Sequence, residues 1–207
     1  MENYLELKKL IKKELSYTEY MNITEDLINN TDTSRLNKED LEIFNYTKLN
    51  LQRSERIEKT FVPPKELAEL ITSLNDKQTW MVITENWCGD SAQNLPYVAK
   101  LAELNENIDL VIVLRDSNPE IMDKYLTNGS KSIPIMVVFD ELGNELFKWG
   151  PRPQKAKEEL ILLKKQGIEK PELYEKLHLW YGRNRGQELI EELTELLSKT
   201  VDSEITI

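Results

Sequence analysis

The feature that most constrains the fold is an alternation of short apolar runs with helix-like segments in the middle of the chain. Three runs are almost continuously apolar and rich in β-branched residues: Thr79–Thr84, Ile108–Leu114 and Ile135–Phe139. Continuous apolarity, rather than alternation of apolar and polar residues, predicts strands that are buried on both faces. Because helix-like segments separate these strands, the pattern predicts an α/β fold with parallel strands and helices on both faces of the sheet.

The alternation closes with two adjacent strands. After Ile135–Phe139, a turn at residues 141–144 carries Gly143 and Asn144 and leads into a fourth strand-like run, Glu145–Trp149. Glycine and asparagine at a tight bend between two strands are typical of a β-hairpin. We therefore expect the sheet to end in an antiparallel edge.

Three helices are predicted around the central strands, at residues 64–74, 91–104 and 118–128. The first begins at Pro64, since proline is compatible with the first turn of a helix. The third is opened by Pro119 and is expected to end near Asn128 and Gly129, because a glycine after an asparagine is a common signal for the end of a helix.

The segments on both sides of this region also predict helices. Residues 1–60 are polar, mix both charges and lack strand-like alternation, until Pro63 and Pro64 break the pattern. We predict a helical N-terminal extension over residues 1–62 and a core over 63–168, followed by a C-terminal helical extension over 169–207 that packs on the core.

Charge and hydropathy narrow the range of partners. The net charge is −10, which opposes binding to nucleic acids and to anionic membranes, so we expect neither as a partner. The N-terminal residues Met1–Lys9 lack the apolar core of a secretory signal, and no run is long enough to span a bilayer. With a single cysteine there is no intramolecular disulfide, which suits a reducing compartment, and we expect a cytoplasmic protein.

The single cysteine, Cys88, lies between the first central strand and the helix that follows it. Unpaired backbone N–H groups and the helix dipole at such a position favour a thiolate and lower the pKa of the thiol. Ser91, one helical turn later, can donate a hydrogen bond to the thiolate. The carboxylates of Glu85 and Asp90 oppose the thiolate because they carry like charge. We therefore expect the pKa of Cys88 to be modestly lowered.

Three features resemble the thioredoxin superfamily. The stretch Trp87–Ser91 reads Trp-Cys-Gly-Asp-Ser and resembles the family's Trp-Cys-Gly-Pro-Cys, and Ser132–Ile135 resembles the family's cis-proline strand. The third feature is the hairpin with Gly143 and Gly150, followed by a helix. The resemblance covers residues 64–166 and implies a thioredoxin-like three-layer α/β/α sandwich with helical extensions, similar to bacterial thioredoxin-like proteins of uncertain function. The family's first strand is not evident, and the N-terminal helices replace or cover it.

The resemblance also implies roles for individual residues. Cys88 would be the nucleophile and Ser91 the donor to its thiolate. A second group would bind the substrate, a protein or low-molecular-weight thiol or disulfide: Trp87, Gly89, Asp90, Ile133 and Pro134. The backbone before the cis-proline pairs with an extended substrate in this family, and here that residue is Ile133.

The family's second cysteine is absent, because Ser91 occupies its position. A serine cannot resolve the mixed disulfide that forms when a thiolate attacks a substrate disulfide. An external thiol could resolve it, which would give monothiol exchange or isomerisation; alternatively the mixed disulfide persists as a trap or a sensor. The remaining alternatives are a redox-inactive module that binds a protein, and an inert cysteine retained in the fold. We take monothiol exchange as the expected function and the redox-inactive module as its alternative.

No cofactor or metal is expected. Cys88-Gly89-Asp90-Ser91 also resembles the Cys-Gly-Phe-Ser of monothiol glutaredoxins, which hold an iron–sulfur cluster with glutathione. The chain departs from that pattern, since Asp90 replaces the phenylalanine and no lysine lies just upstream. One cysteine and one histidine, His178, do not make a zinc site. We expect structural roles for His178 and for Arg152.

Overall fold

The computed structural model describes residues 2–204, and their side chains as far as Thr200. The first part contains α1 (Tyr4–Lys8), α2 (Tyr17–Asn30), α3 (Lys38–Thr60), α4 (Lys65–Thr72), β1 (Gln78–Thr84), α5 (Gly89–Ala102), β2 (Ile108–Leu114), α6 (Pro119–Met122), β3 (Ile135–Phe139) and β4 (Glu145–Trp149). The last part contains α7 (Gln154–Lys165), α8 (Lys170–Asn184) and α9 (Gln187–Glu204). Within residues 2–204, no helix combines the length and the apolarity that crossing a membrane requires.

The four strands form one sheet in the order β2-β1-β3-β4. β1 and β2 are parallel, with Gln78 opposite Ile108, whereas β3 is antiparallel to both β1 and β4. Helices flank the sheet, so the predicted α/β fold class and the terminal hairpin are confirmed. The direction of β3 next to β1 differs from the expected run of parallel strands. A continuous apolar run has the same pattern in either direction, which is why the sequence could not decide it.

The helix predicted for residues 118–128 is wrong in its length. α6 ends at Met122. The chain then continues through tight turns, in which the Lys124 N–H donates to the Ile121 carbonyl and the Tyr125 N–H to the Met122 carbonyl. These turns bring Tyr125 into the buried apolar cluster beside β3. The burial of one aromatic side chain thus outweighs the propensity to continue the helix.

The chain divides into two compact units, residues 1–151 and residues 152–207. In the second unit, α7 and α8 pack on each other through a buried apolar cluster made of Ala156, Leu160, Leu163, Leu173, Leu177 and Tyr181. Within the same unit, Lys155 pairs with Glu188 of α9. The predicted domain boundaries after residues 62 and 168 stay predictions.

In the first unit, the N-terminal segment crosses one face of the sheet. The Tyr4 N–H donates to the Gly143 carbonyl at the hairpin, and Leu15 exchanges both backbone hydrogen bonds with Ile112 at the opposite edge. Between these two anchors, Tyr4 and Leu7 are buried against the sheet. The bridge at Leu15 occupies the outer side of β2, where the resemblance had implied a further strand. The prediction that the N-terminal helices replace or cover that strand stays a prediction, since Leu15 lies between α1 and α2 and belongs to neither helix.

Helices α2 and α3 begin where the side chains can cap them. Ser16 and Glu19 form a reciprocal capping box at the start of α2, and the Asn37 side chain accepts a hydrogen bond from the Asp40 N–H at the start of α3. α3 packs against α2 on one side and α5 on the other. This packing places α3 beside α5, the helix that begins directly after Cys88.

Candidate functional site

Cys88 is the residue that caps the N-terminus of α5. Its backbone is extended, with φ −78° and ψ 113°, and its carbonyl accepts the first helical hydrogen bond from the Ala92 N–H at 3.1 Å. The Cys88 N–H donates to the Glu85 carbonyl, which closes the short loop between β1 and α5. The sulfur therefore stands at the positive end of the helix, as the sequence predicted.

The fold brings Cys88 next to the predicted proline turn. The peptide bond between Ile133 and Pro134 is cis, as the resemblance implied. The Cys88 thiol donates a hydrogen bond to the carbonyl oxygen of Ile133, with 3.4 Å between sulfur and oxygen. Residues that lie far apart in the chain thus meet at one end of the sheet. The catalytic and substrate-binding roles assigned to them stay predictions.

The thiol is buried, with 7% of the Cys88 residue exposed. It belongs to the apolar cluster that contains Ile83, Ile121 and Ile133. Burial, and after it the negative charge of Asp90, raise the pKa of Cys88 to about 11. Hydrogen bonds from Ser91 and from backbone N–H groups act in the opposite direction without compensating. The expected modest lowering of the pKa is therefore wrong, because the sequence shows the helix start but not the side chains packed over it.

Asp90 offers a direct test of this electrostatic balance. We expect Asp90→Asn to lower the pKa of Cys88, since its carboxylate is the second cause of the raised value after burial. The rate of Cys88 alkylation between pH 7 and 10, followed by intact mass, measures the shift. Glu85→Gln is the matched control, because the Glu85 carboxylate is engaged by the Asp116 N–H at 2.7 Å. An equal or larger shift in that control would contradict the assignment to Asp90.

Glu85 itself is a buried acid at the end of β1. Burial raises the pKa of its carboxyl, and the nearby Asp116 raises it further, while the hydrogen bond from the Asp116 backbone and the charge of Arg115 lower it. Glu85 therefore anchors the loop after β2 rather than facing solvent. From the sequence, Glu85 was expected only to oppose the Cys88 thiolate through its charge.

Buried hydroxyl groups are linked to Cys88. Ser91 hydrogen-bonds to Cys88, and the hydroxyls of Ser91 and Thr84 share a hydrogen bond of 2.6 Å. Burial raises the pKa of Tyr20, which lies on α2, while hydrogen bonding with Thr84 acts in the opposite direction. Tyr20 is buried, and sequence reasoning missed it because a tyrosine in a polar amphipathic segment carries no signal for a distant partner.

A second contact ties α3 to the loop that carries Cys88. The amide group of Asn50 donates to the backbone carbonyl of Asn86 at 3.1 Å. The oxygen of the same side chain accepts from Arg53 at 2.9 Å, so the buried amide is satisfied on both sides. α3 therefore contacts the loop between β1 and α5 directly.

Trp87, next to Cys88 in the chain, is partly buried against the apolar cluster that contains Cys88. The guanidinium of Arg115 stacks over its ring at 4.7 Å. Arg115 also donates to the Lys131 carbonyl at 3.2 Å and to Asp116 at 2.7 Å. It thereby connects the Cys88 loop to the segment before Pro134. Sequence reasoning missed this residue, whose only signal is its place directly after β2.

The remaining candidates are placed as follows. Gly89 is the first residue of α5, and Asp90 is buried in its first turn. His178 lies on α8 in the second unit, with its ring 6.3 Å from that of Tyr181. Arg152 opens the second unit. Over the part of the chain that the structure describes, no group of three or more His, Cys, Asp or Glu side chains is placed to hold a metal ion.

Comparison with known proteins agrees with this geometry. A family model described as thioredoxin matches residues 37–167. A protein of unknown function from Pseudomonas aeruginosa, PA1234, has a crystal structure that aligns with a TM-score of 0.52 and 18% identity, covering 90% of this chain and 99% of that one. An HIV epitope-scaffold protein aligns with a TM-score of 0.52 and 20% identity, covering 89% and 99%. At these identities the two structures show the fold alone. No curated protein matches the chain at a significant level.

Proposed function

Because the chain belongs to the thioredoxin family, we propose that it carries out monothiol thiol–disulfide exchange with Cys88 as the nucleophile. The observation that carries the proposal is the position of the sulfur, at the N-terminus of α5 and 3.4 Å from the carbonyl oxygen of Ile133 before the cis proline. A backbone group beside the thiol is where this family pairs with an extended substrate. The substrates would be disulfides of proteins or of low-molecular-weight thiols.

The reaction would run in two exchange steps. The Cys88 thiolate attacks one sulfur of a substrate disulfide, forms a mixed disulfide and releases the other sulfur as a thiolate. An external thiolate then attacks the substrate sulfur of the mixed disulfide and releases Cys88 as a thiolate again. The net result transfers a disulfide from one thiol pair to another with no net oxidation of the protein. A second cysteine in the chain is not required.

Neighbouring groups would stabilise the Cys88 thiolate, which attacks in the first step and is released in the second. The hydrogen bond from Ser91 and the helix N-terminus stabilise the thiolate. With a pKa of about 11, about one molecule in ten thousand carries the thiolate at pH 7. Exchange at neutral pH therefore requires that the sulfur become hydrated, which reverses the largest cause of the raised pKa. We propose a cytoplasmic location, where external thiols keep a single cysteine reduced.

Mixed-disulfide formation tests the proposal. We expect wild-type protein incubated with 2-hydroxyethyl disulfide to gain one adduct, seen by intact mass, and to lose it on addition of glutathione. Cys88→Ser removes the only thiol of the chain, so the adduct should disappear completely. The disulfide is small and uncharged, so the carboxylates near the thiol do not repel it. Failure of the wild type to react, under conditions that fully modify a free cysteine peptide, would count against exchange.

A second function is favoured by the burial of Cys88 and its raised pKa. In this alternative the protein is a redox-inactive module that binds a protein partner beside Cys88 and Pro134. Both functions use the same residues, Cys88 and Pro134, but they differ in the expected effect of Cys88→Ser. If the protein is a binding module, neither the wild type nor Cys88→Ser should catalyse exchange, and both should bind the partner equally well. If it carries out exchange, Cys88→Ser should lose that activity completely.

A further inference from the structure

Arg115 joins two segments that meet at the thiol. One is the loop between β1 and α5, residues 85–88, and the other is residues 131–134, which contain the cis peptide bond. The guanidinium lies over the ring of Trp87 at 4.7 Å, and its Nη1 donates to the carbonyl of Lys131 at 3.2 Å. A single side chain therefore contacts both segments.

The guanidinium of Arg115 is itself held in place. The Arg115 backbone N–H donates to the Thr84 carbonyl at 2.9 Å, which continues the pairing of β2 with β1 beyond the strands. Its Nε and Nη2 both lie 2.7 Å from one carboxylate oxygen of Asp116. The Asp116 N–H in turn donates to the Glu85 carboxylate at 2.7 Å. Because a guanidinium has five donors in a rigid plane, it can serve several partners at once.

A direct hydrogen bond between the same two segments depends on the proton of the thiol. Cys88 donates it to the carbonyl oxygen of Ile133, at 3.4 Å from the sulfur. A thiolate has no proton to donate, and the sulfur of a mixed disulfide has none either. The carbonyl oxygen would also repel a thiolate, because both carry negative charge. This hydrogen bond is therefore lost in the forms of the protein through which exchange would run.

We propose that Arg115 is a positioning residue for exchange, which holds the loop of Cys88 beside Ile133 when the sulfur carries no proton. This inference rests on the proposed exchange activity of Cys88. The contacts of Arg115 with Trp87 and Lys131 do not involve the sulfur, so they persist through ionisation and mixed-disulfide formation. An extended substrate bound beside Ile133 then stays within reach of Cys88.

The chemistry of the guanidinium determines which variants test this role. A lysine carries the same charge, but its ammonium has no planar face and cannot serve three partners together. Arg115→Lys should therefore keep part of the positioning, and Arg115→Met, which has neither charge nor donor, should lose it. Lys124→Met is the matched control, since it also removes one cation from a partly exposed ion pair, the pair with Glu2.

The rates of exchange with two uncharged disulfides separate positioning from access to the sulfur. One is 2-hydroxyethyl disulfide, and the other is the disulfide-linked dimer of acetyl-Ala-Cys-Ala-amide, which has peptide backbone on both sides of its sulfur. Intact mass gives each rate for the full-length wild type and the three variants. We expect the rate with the peptide, divided by the rate with the small disulfide, to fall at least about tenfold in Arg115→Met, because a displaced Ile133 misaligns the peptide.

The other two variants complete this comparison. The ratio of the two rates in Arg115→Lys should lie between those of Arg115→Met and the wild type, and Lys124→Met should match the wild type. Loosened packing alone changes both rates by the same factor, so an unchanged ratio in folded Arg115→Met would overturn the proposal. An equal fall in Lys124→Met would overturn it too. If Arg115→Met does not fold, a wild-type ratio in Arg115→Lys has the same meaning.

A double-mutant cycle tests the role of Arg115 without any exchange reaction. Cys88→Ala removes the thiol donor, and Arg115→Met removes the second contact between the segments. Urea unfolding gives the free energy of unfolding of the wild type, both single variants and the double variant. If Arg115 holds the segments once the thiol donor is lost, the double variant should lose more than the sum of the two single losses. Additive losses would refute the proposal. Arg115→Lys replaces Arg115→Met if the double variant does not fold.

The two proposals fail in different ways. A wild type that forms no mixed disulfide, while the cycle shows the expected coupling, keeps the contact made by Arg115 and refutes exchange. A wild type that reacts with both disulfides, while the ratio is unchanged in Arg115→Met and the losses are additive, keeps exchange and refutes the role of Arg115.

Discussion

Substitution of Gly150 by alanine is expected to lower the free energy of unfolding by about 3 kcal/mol or more. Gly150 follows β4 and has φ +122°, a conformation that residues with a side chain rarely adopt. A Cβ at this position would lie 2.2 Å from the carbonyl oxygen of Pro134, which is backbone and cannot rotate away. The substitution therefore combines an unfavourable φ with a displacement of the chain. Urea unfolding followed by tryptophan fluorescence measures the loss.

Gly129→Ala is the matched control for this prediction. Gly129 also has a positive φ, +78°, but a Cβ there would meet no heavy atom within 4 Å. Its substitution should cost only about 1 kcal/mol, the conformational penalty alone. Equal costs at the two glycines would show that the approach of Gly150 to Pro134 does not constrain the fold.

The same close approach links the end of the hairpin to the functional site. Because Gly150 touches Pro134, Gly150→Ala should also displace the carbonyl of Ile133, which accepts the hydrogen bond from Cys88. We expect Cys88 in any folded fraction of this variant to be alkylated faster than in the wild type. If Gly150→Ala is destabilised but its Cys88 is alkylated at the wild-type rate, the loss of stability does not come with a displaced Ile133 carbonyl.

The second large effect concerns the reactivity of Cys88 as a function of pH. Its pKa, raised from the ordinary value of 9.0 to about 11, leaves about 100-fold less thiolate at neutral pH than a free cysteine has. We expect alkylation at pH 7 to be slower than that of a cysteine peptide by at least about this factor. The rate should rise about tenfold per pH unit from pH 7 to 10, with no plateau in that range.

A peptide of the sequence Trp87–Ser91 and the protein unfolded in urea serve as controls for the pH profile. Both should show a plateau governed by an ordinary thiol, since burial is the largest cause of the shift. If the alkylation rate of the folded protein reached a plateau at or below pH 8.5, Cys88 would be the activated thiol expected from the sequence. That result would contradict the role of burial.

The raised pKa also has a consequence for stability, with a definite sign. The folded state holds the thiol proton more tightly than the unfolded state, so the contribution to stability is complete below pH 9 and is lost as the pH rises through about 11. Two pKa units correspond to about 3 kcal/mol. Buried tyrosines titrate in the alkaline range too, so the measured quantity is the difference between wild type and Cys88→Ser. The wild type should lose more stability than the variant from pH 9 to 11.

The local pattern of the chain predicted much of the fold. The strands at residues 108–114, 135–139 and 145–149 were predicted to the residue, because continuous apolar runs between helical segments are a strong signal. The direction of β3 was not predictable from its own residues. The helix after Pro119 was predicted too long, since nothing local announces that Tyr125 will be buried.

The sequence predicted which residues come together around Cys88 better than it predicted the reactivity of the thiol. The resemblance of Trp87–Ser91 and Ser132–Ile135 to a known pair of motifs placed Cys88 beside a cis proline, and the structure has that arrangement. Tyr20, Asn50 and Arg115 were not predicted. Each acts through a partner that is distant in the chain, and no local pattern encodes such a contact.

The sequence by itself determined the α/β pattern, the helix start at Cys88 and the absence of a second thiol. These properties depend on residue types and on spacing along one stretch of chain. Only the tertiary structure decided whether the thiol is reactive, because its pKa depends on the water that its surroundings exclude. The helix dipole at Cys88 favours a thiolate, but burial by the surrounding side chains and the charge of Asp90 raise the pKa to about 11. Desolvation is a property of everything that surrounds the sulfur, and it is therefore settled by the fold.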